Sequence, residues 1–266
     1  MTEGFGLILQ SKLLTIRCIR ETYEKCFSLN IKALNPVQFI YMLKNLYQVL
    51  SEISLLCLYP VFSLFAHFIP KSMFIGNGKG QTIIIVERWL SVNIRHIYWK
   101  FYLERRGFNA YLANFSLWHG DFDDSAKDLK KYIERKKLND IILVGVSSGA
   151  ITSLLYLQEF EGWEKVKKFI SIGAPFEGAW SALLLSFVPS GRQLWPASSL
   201  IKKISRFEIK NMEKITCIRA KFDEMVPTGS VLKGAKEVRI GTLGHNNLHL
   251  GMGKTYAKIV EIANNS

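Results

Sequence analysis

The run from Asn139 to Phe160, NDIILVGVSSGAITSLLYLQEF, constrains the fold more than any other part of the chain. Ile141 to Val144 are all apolar, which leaves no polar face for water, so a strand here is buried on both sides. Gly145-Val146-Ser147-Ser148-Gly149 breaks the run, and a helical pattern follows at once. A doubly buried strand leading straight into a helix fits a mostly parallel sheet with helices on both faces. The later chain repeats the pattern. Candidate strands are Thr82–Val86, Asn109–Asn114, Ile141–Gly145, Lys168–Ile172, Ile215–Ala220 and Glu237–Ile240. They alternate with candidate helices near 95–106, 124–137, 148–160 and 253–264.

The first 75 residues read differently. Residues 1–47 are helical in pattern and basic, with Lys12, Arg17, Arg20, Lys25, Lys32 and Lys44 among apolar positions. ISLLCLYPVFSLFAHFI, Ile53 to Ile69, then carries no charge apart from a proton on His67. Its length of about 17 residues is at the lower limit for crossing a bilayer, and Pro60 in its middle is a kink that membrane helices tolerate. The reading is an N-terminal helical region over 1–75 with a candidate membrane anchor at about 53–69. A buried helical hairpin is the alternative. GNGKGQ, Gly76 to Gln81, is a linker that opens an α/β domain over 76–266. Localisation at a membrane through the N-terminal segment follows, and the side of the membrane stays open.

Charge narrows the partners. The formal net charge of +13 favours anionic surfaces such as phospholipid headgroups. No basic run with interleaved aromatics marks a nucleic-acid footprint, so no nucleic acid is expected. Cys18, Cys26, Cys57 and Cys217 are scattered without a C-x-x-C pair, which indicates neither a zinc cluster nor a disulfide framework.

Gly145-x-Ser147-x-Gly149 is weak evidence as a string, because about one chain in ten of this length carries one by chance. Its setting strengthens it: a buried strand before and a helix after is the setting of a nucleophile elbow. Ser147 then presents its hydroxyl above the sheet edge, and Ser148 offers its backbone N–H to an oxyanion. A serine hydroxyl needs a base to take its proton and an acid to orient that base. Two histidines follow Ser147 in the chain, His245 and His249. CIRAKFDEMVP puts Asp223 just past one strand, and VRIGTLGHNNLHL puts His245 just past the next, both at the elbow's edge of the sheet. His249 is the alternative base, and Asp223 has an alternative role in capping its own turn.

Other constellations read as structural. GMGKT, Gly251 to Thr255, lacks the upstream glycine of a phosphate-binding loop, so it opens the last helix. HNNLH has metal-ligand spacing but no glutamate after its first histidine, and no metal site is assigned. In HGDFDDSAKD, Asp124 or Ser125 caps the helix that begins there. Phe176, Trp180, Phe187 and Trp195 form an apolar stretch that reads either as packing under a cap or as an acyl-chain wall.

The order of these elements resembles the lipase and esterase branch of the α/β-hydrolases. TIIIVERWLSVNIRHIYWKFYLERRGFNAYLANF resembles its early strand, helix and strand, and ILVGVSSGA its elbow. FISIGAPFEGAWSALL is similar to its Leu-Gly-Thr-Pro-His-x-Gly-Thr segment and LWPASSLIKKI to the stretch after it. FDEMVP and GHNNL resemble its acid and histidine turns. The resemblance covers about residues 80–265. It implies an ester hydrolase with a Ser147, Asp223, His245 triad, no cofactor, and an ester substrate with an apolar acyl chain. In one place the chain departs: Glu87-Arg88, followed by Trp89, stands where the family carries His-Gly. There the backbone N–H of Trp89 takes the second oxyanion position beside Ser148. Acyl transfer at the same site, or a hydrolase-like domain used for membrane or partner binding, are the alternatives.

Overall fold

The computed structural model describes residues 36–65, 70–89, 95–116, 120–250 and 254–265. The chain divides into two compact units, Met1–Ser51 and Glu52–Ser266. Helix α1 (Pro36–Phe65) runs for 30 residues and opens with proline, whose fixed φ and missing N–H suit a first turn. The candidate anchor is therefore not a separate apolar helix. Its residues 53–65 are the end of α1, whose earlier turns carry Lys44, Asn45, Gln48 and Glu52, and residues 66–69 lie outside the described ones. Among the described residues no helix is long and apolar enough to cross a membrane.

In the larger unit six strands form one sheet. They are β1 (Thr82–Trp89), β2 (Asn109–Ser116), β3 (Ile141–Val146), β4 (Val166–Ile172), β5 (Ile215–Phe222) and β6 (Lys236–Leu243). Their spatial order is β2-β1-β3-β4-β5-β6, and every neighbouring pair is parallel. The helices are α2 (Arg95–Glu104), α3 (Phe122–Arg135), α4 (Ser148–Glu159), α5 (Pro189–Gln193), α6 (Ser199–Ser205), α7 (His245–His249) and α8 (Thr255–Asn264). Side chains alternate across the sheet, so each strand feeds two cores. Ile84 and Val86 pack with Phe122, Leu129 and Ile133 of α3 and Ile151 and Leu154 of α4. Ile83 and Ile85 pack with Trp99 and Leu103 of α2 and Ile259 and Ile262 of α8. Both faces of a strand such as Ile141–Val146 are thus buried, which is why it reads as a continuous apolar run.

Each expected strand falls inside an observed one. The difference that bears on the site is at β1, expected to end at Val86. It continues to Trp89, in register with Ser116 of β2, because both polar side chains find buried partners. Helix α3 also begins earlier than expected. Its cap is Asp121, not Asp124 or Ser125: the Asp121 carboxylate accepts the Asp124 N–H at 2.8 Å. Phe122 is fully buried and starts the helix, and its N–H donates to the Gln193 side chain at 3.1 Å.

The strand order fixes where a site can form. From β1 the chain crosses to β2 on one side and then to β3 on the other. The crevice above the carboxyl ends of β1 and β3 is the place where open parallel sheets bind ligands.

Candidate active site

Ser147 sits in that crevice, between the end of β3 and the start of α4. Its φ of 49° and ψ of −124° put it at a strained conformation for a residue with a Cβ. Both flanking glycines are required. A Cβ on Gly145 stands 2.5 Å from the Ala150 Cα, and one on Gly149 stands 2.8 Å from the Glu87 Cα and closer still to the Val86 carbonyl oxygen. The turn therefore closes only if helix α4 starts directly against β3 and β1. The Ser147 N–H donates to the Ile172 carbonyl at 2.8 Å, which ties the elbow to β4 as well.

The hydroxyl faces a histidine. Ser147 Oγ lies 3.0 Å from His245 Nε2, and His245 Nδ1 lies 2.7 Å from Asp223 Oδ2. Asp223 follows β5 and His245 follows β6, so the ends of β3, β5 and β6, all on one side of the switch point, supply the three groups. Asp223 also caps its own turn. Its Oδ1 accepts the Met225 and Val226 N–H groups at 3.0 and 2.8 Å while Oδ2 faces the imidazole. Its two sequence readings are thus realised together, one on each oxygen. His249, one turn after His245, is buried and sets its ring edge-on against it, with centroids 4.1 Å apart. Gly173, at φ 56°, makes room for the two rings; a Cβ there meets His249 Nε2 at 3.1 Å.

Two more acidic side chains surround His245. The Glu224 carboxyl group accepts the His245 backbone N–H at 3.2–3.3 Å. Glu52 of α1 accepts the next two N–H groups, those of Asn246 at 2.8 Å and Asn247 at 2.9 Å. Burial alone depresses the His245 imidazole, but Asp223, then Glu224 and Glu52, together raise it above its ordinary value. Burial, then the charges of Glu52 and Asp223, pushes the Glu224 carboxyl up to about 8. Glu224 sits beside Asp223 in FDEMVP and was visible in the sequence. Nothing in the sequence signals Glu52, which lies 194 residues from Asn246.

The other wall of the crevice is the end of β1. Strand alternation sends Glu87 and Arg88 to opposite faces. Glu87 turns towards α2, where its carboxylate meets His96 Nδ1 at 2.6 Å, and both side chains are buried. Arg88 turns towards α3. It donates to the Gly120 and Asp121 carbonyls, each at 2.8 Å, and its guanidinium lies 4.3 Å from the centre of the Phe122 ring. Burial lowers that guanidinium to about 10, against an opposing pull from Asp121 and Asp124. The Ser148 hydroxyl donates to the Arg88 carbonyl at 2.7 Å. In a planar trans peptide unit the N–H points opposite to the carbonyl, so that bond also orients the Trp89 N–H, directed away from the Ser148 hydroxyl. The Ser148 N–H opens α4 and is one of the groups that helix geometry leaves without an i−4 carbonyl.

The aromatic stretch divides. Phe176 is buried in the core, whereas Trp180 and Phe187 are 45% and 61% exposed. The Trp180–Leu185 turn is anchored beside the acid, since the Ser181 hydroxyl donates to the Met225 carbonyl at 3.0 Å. Of GMGKT, residues 251–253 lie outside the described ones, and Thr255 opens α8 as expected.

No protein-family model matches the chain, and no curated protein matches it. Solved structures do. The mature form of the lipase BlEst2 from Bacillus licheniformis aligns with a TM-score of 0.55 at 14% identity, covering 70% of this chain and 94% of that one. A structure reported for LipS and LipT, two metagenome-derived lipolytic enzymes, aligns with a TM-score of 0.54 at 10% identity, covering 72% and 96%. MGS-MChE2, an α/β hydrolase from a lagoon-sediment metagenome of Mar Chica, Morocco, aligns with a TM-score of 0.50 at 18% identity, covering 71% and 90%. The chain has the α/β-hydrolase fold that these structures share.

Proposed function

We propose that the protein is a serine hydrolase that cleaves carboxylic esters through an acyl-enzyme. The observation that carries this reading is the hydrogen-bonded chain from Ser147 Oγ through His245 to Asp223, at 3.0 and 2.7 Å, with Ser147 held at φ 49°. In the working tautomer Nδ1–H donates to Asp223 and Nε2 accepts the serine proton. Ser147 Oγ attacks the ester carbonyl while its proton passes to Nε2. Asp223 stays ionised and stabilises the imidazolium. The carbonyl oxygen becomes an oxyanion held by the N–H groups of Ser148 and Trp89. Collapse breaks the ester bond, and the alcohol leaves with the proton from Nε2. Water then attacks the acyl carbon as it gives a proton to Nε2, and collapse breaks the bond to Oγ, which takes that proton back as the acid leaves.

Glu87-Arg88 does not argue against turnover. Each side chain is engaged on its own face of the sheet, so neither charge is left beside the developing oxyanion without a partner. A substrate with an apolar acyl chain is supported by exposed Trp180 and Phe187, and by the lipolytic character of the enzymes that share the fold.

A fluorophosphonate probe tests the reading directly. Wild type is expected to be labelled and Ser147→Ala is not. Equal labelling of the two removes Ser147 as the nucleophile, and no labelling of folded wild type removes the hydrolase reading. A p-nitrophenyl ester series of rising chain length tests the acyl preference, against which a sharp optimum at acetyl counts.

A further inference from the structure

Helix α7 carries His245 at its first position, is five residues long, and starts from Gly244 without a side-chain cap of its own. A helix this short does not hold itself together, so its placement is set from outside. Its first three N–H groups all meet side-chain carboxyl groups. Glu224 takes the first, at 3.2–3.3 Å, and Glu52 takes the second and third with its two oxygens, at 2.8 and 2.9 Å. The Asn246 side-chain amide adds a 2.6 Å bond to Glu52. Charge-assisted bonds this short are strong, and a carboxylate at a helix N-terminus also opposes the partial positive charge there. Gly244 is shaped for the contact: it sits at φ 101°, and a Cβ on it stands 2.8 Å from the Glu52 carboxyl carbon.

We infer that Glu52 is a positioning residue for the base: it holds the first turn of α7, and with it the His245 ring, where Nε2 reaches Ser147. Asp223 holds the ring at one nitrogen, but a single bond leaves the ring free to swing about it. The backbone that carries the ring is fixed by Glu52 and, more weakly, by the longer contacts of Glu224. Glu52 touches neither the nucleophile nor the oxyanion position, so it acts through His245 alone.

The kinetic part of this proposal rests on the serine-hydrolase reading; the structural part does not. The full-length chain, as wild type, Glu52→Gln and Glu52→Ala, is compared by the rate of fluorophosphonate labelling and by kcat and KM on a p-nitrophenyl ester. The low-field proton resonance of the His245–Asp223 bond, which requires no turnover, is followed in parallel. Glu52→Ala is expected to label about 10- to 100-fold more slowly, the cost of a misplaced catalytic group. The loss should fall on kcat with KM changed by less than about threefold, and the low-field resonance should vanish into exchange. Glu52→Gln keeps one carbonyl acceptor but turns an amide N–H towards the other donor, so it falls between. Wild-type labelling together with an intact resonance in Glu52→Ala overturns the proposal. Should that variant fail to fold, the same result in Glu52→Gln overturns it. An unlabelled wild type sinks the hydrolase reading instead, while the resonance still decides whether Glu52 holds the ring.

Discussion

Gly149→Ala is the sharpest test of how the elbow is built. A Cβ at this position lies 2.8 Å from the Glu87 Cα and even nearer the Val86 carbonyl oxygen. Carbon atoms rest at about 3.5–4.0 Å, so the start of α4 and the end of β1 must separate by about 1 Å. Both sides of the contact are backbone, so no side chain can rotate to absorb the strain. The same shift acts on Ser147, two residues back, whose bond to His245 Nε2 is 3.0 Å. Adding about 1 Å takes that pair beyond hydrogen-bonding reach. The expected result is a loss of about 100-fold in fluorophosphonate labelling, with a stability loss of about 1–3 kcal/mol from overpacking. Gly241→Ala is the control, because a Cβ there has nothing within 4 Å. It should leave labelling unchanged and stability within about 0.5 kcal/mol. Labelling of Gly149→Ala within about twofold of wild type refutes the argument, since the elbow would then not depend on that contact.

Ser147→Gly and Ser147→Ala both lose the hydroxyl, and they differ only in the Cβ at φ 49°. Relief of about 1–3 kcal/mol of backbone strain outweighs the usual glycine cost of about 0.5–1 kcal/mol. The glycine variant should therefore melt higher, and a lower melting point refutes the strain. On the proposed mechanism neutral His245 is the base, and its value is raised, so activity should rise with pH through a midpoint above the ordinary histidine value of about 6.5. Asp223→Asn should move that midpoint down in a labelling-rate profile. Glu224 keeps its proton up to about 8 in the folded protein, whereas the unfolded chain releases it near the ordinary glutamate value of about 4.3. Between those two values the unfolded state binds fewer protons, so wild-type stability falls as pH rises. Glu224→Gln should match wild type below that window and exceed it in thermal melts at its upper end; equal melts at both ends refute the buried acid.

The sheet was legible in the sequence because both its faces are buried. Ile83 to Val86 and Ile141 to Val144 have no polar side, and such runs leave few choices other than central parallel strands. The elbow was legible because the two glycines flank a serine at a strand-to-helix junction, a local pattern with a local steric cause. Asp223 and His245 could be placed because each directly follows a strand. What stayed hidden depends on contacts that sequence spacing does not encode. The Asp121 cap is one such case, since it is chosen by burial of Phe122. The partners of Glu87 and Arg88 are another, and Glu52 is the extreme one: it meets the histidine turn across 194 residues.

The Glu87-Arg88 pair shows why a polar interruption in a strand is a poor guide to where the strand ends. Read along the chain, two charged residues after Thr82–Val86 look like exit into solvent, and a glutamate there looks hostile to an oxyanion. Placed on a pleated strand, they point to opposite faces, and each reaches a helix that already packs on that face. Glu87 meets His96 on α2, and Arg88 reaches the residues that open α3. Neither side chain can then turn into the crevice without abandoning a buried partner, and an unpaired buried charge costs several kcal/mol. What the crevice receives from this part of β1 is backbone, and the Ser148 hydroxyl fixes that backbone through the Arg88 carbonyl at 2.7 Å. An oxyanion site needs N–H groups held in direction and not particular side chains. The two side chains at this position therefore anchor the end of β1 to a helix on each face of the sheet, and keep both charges out of the crevice.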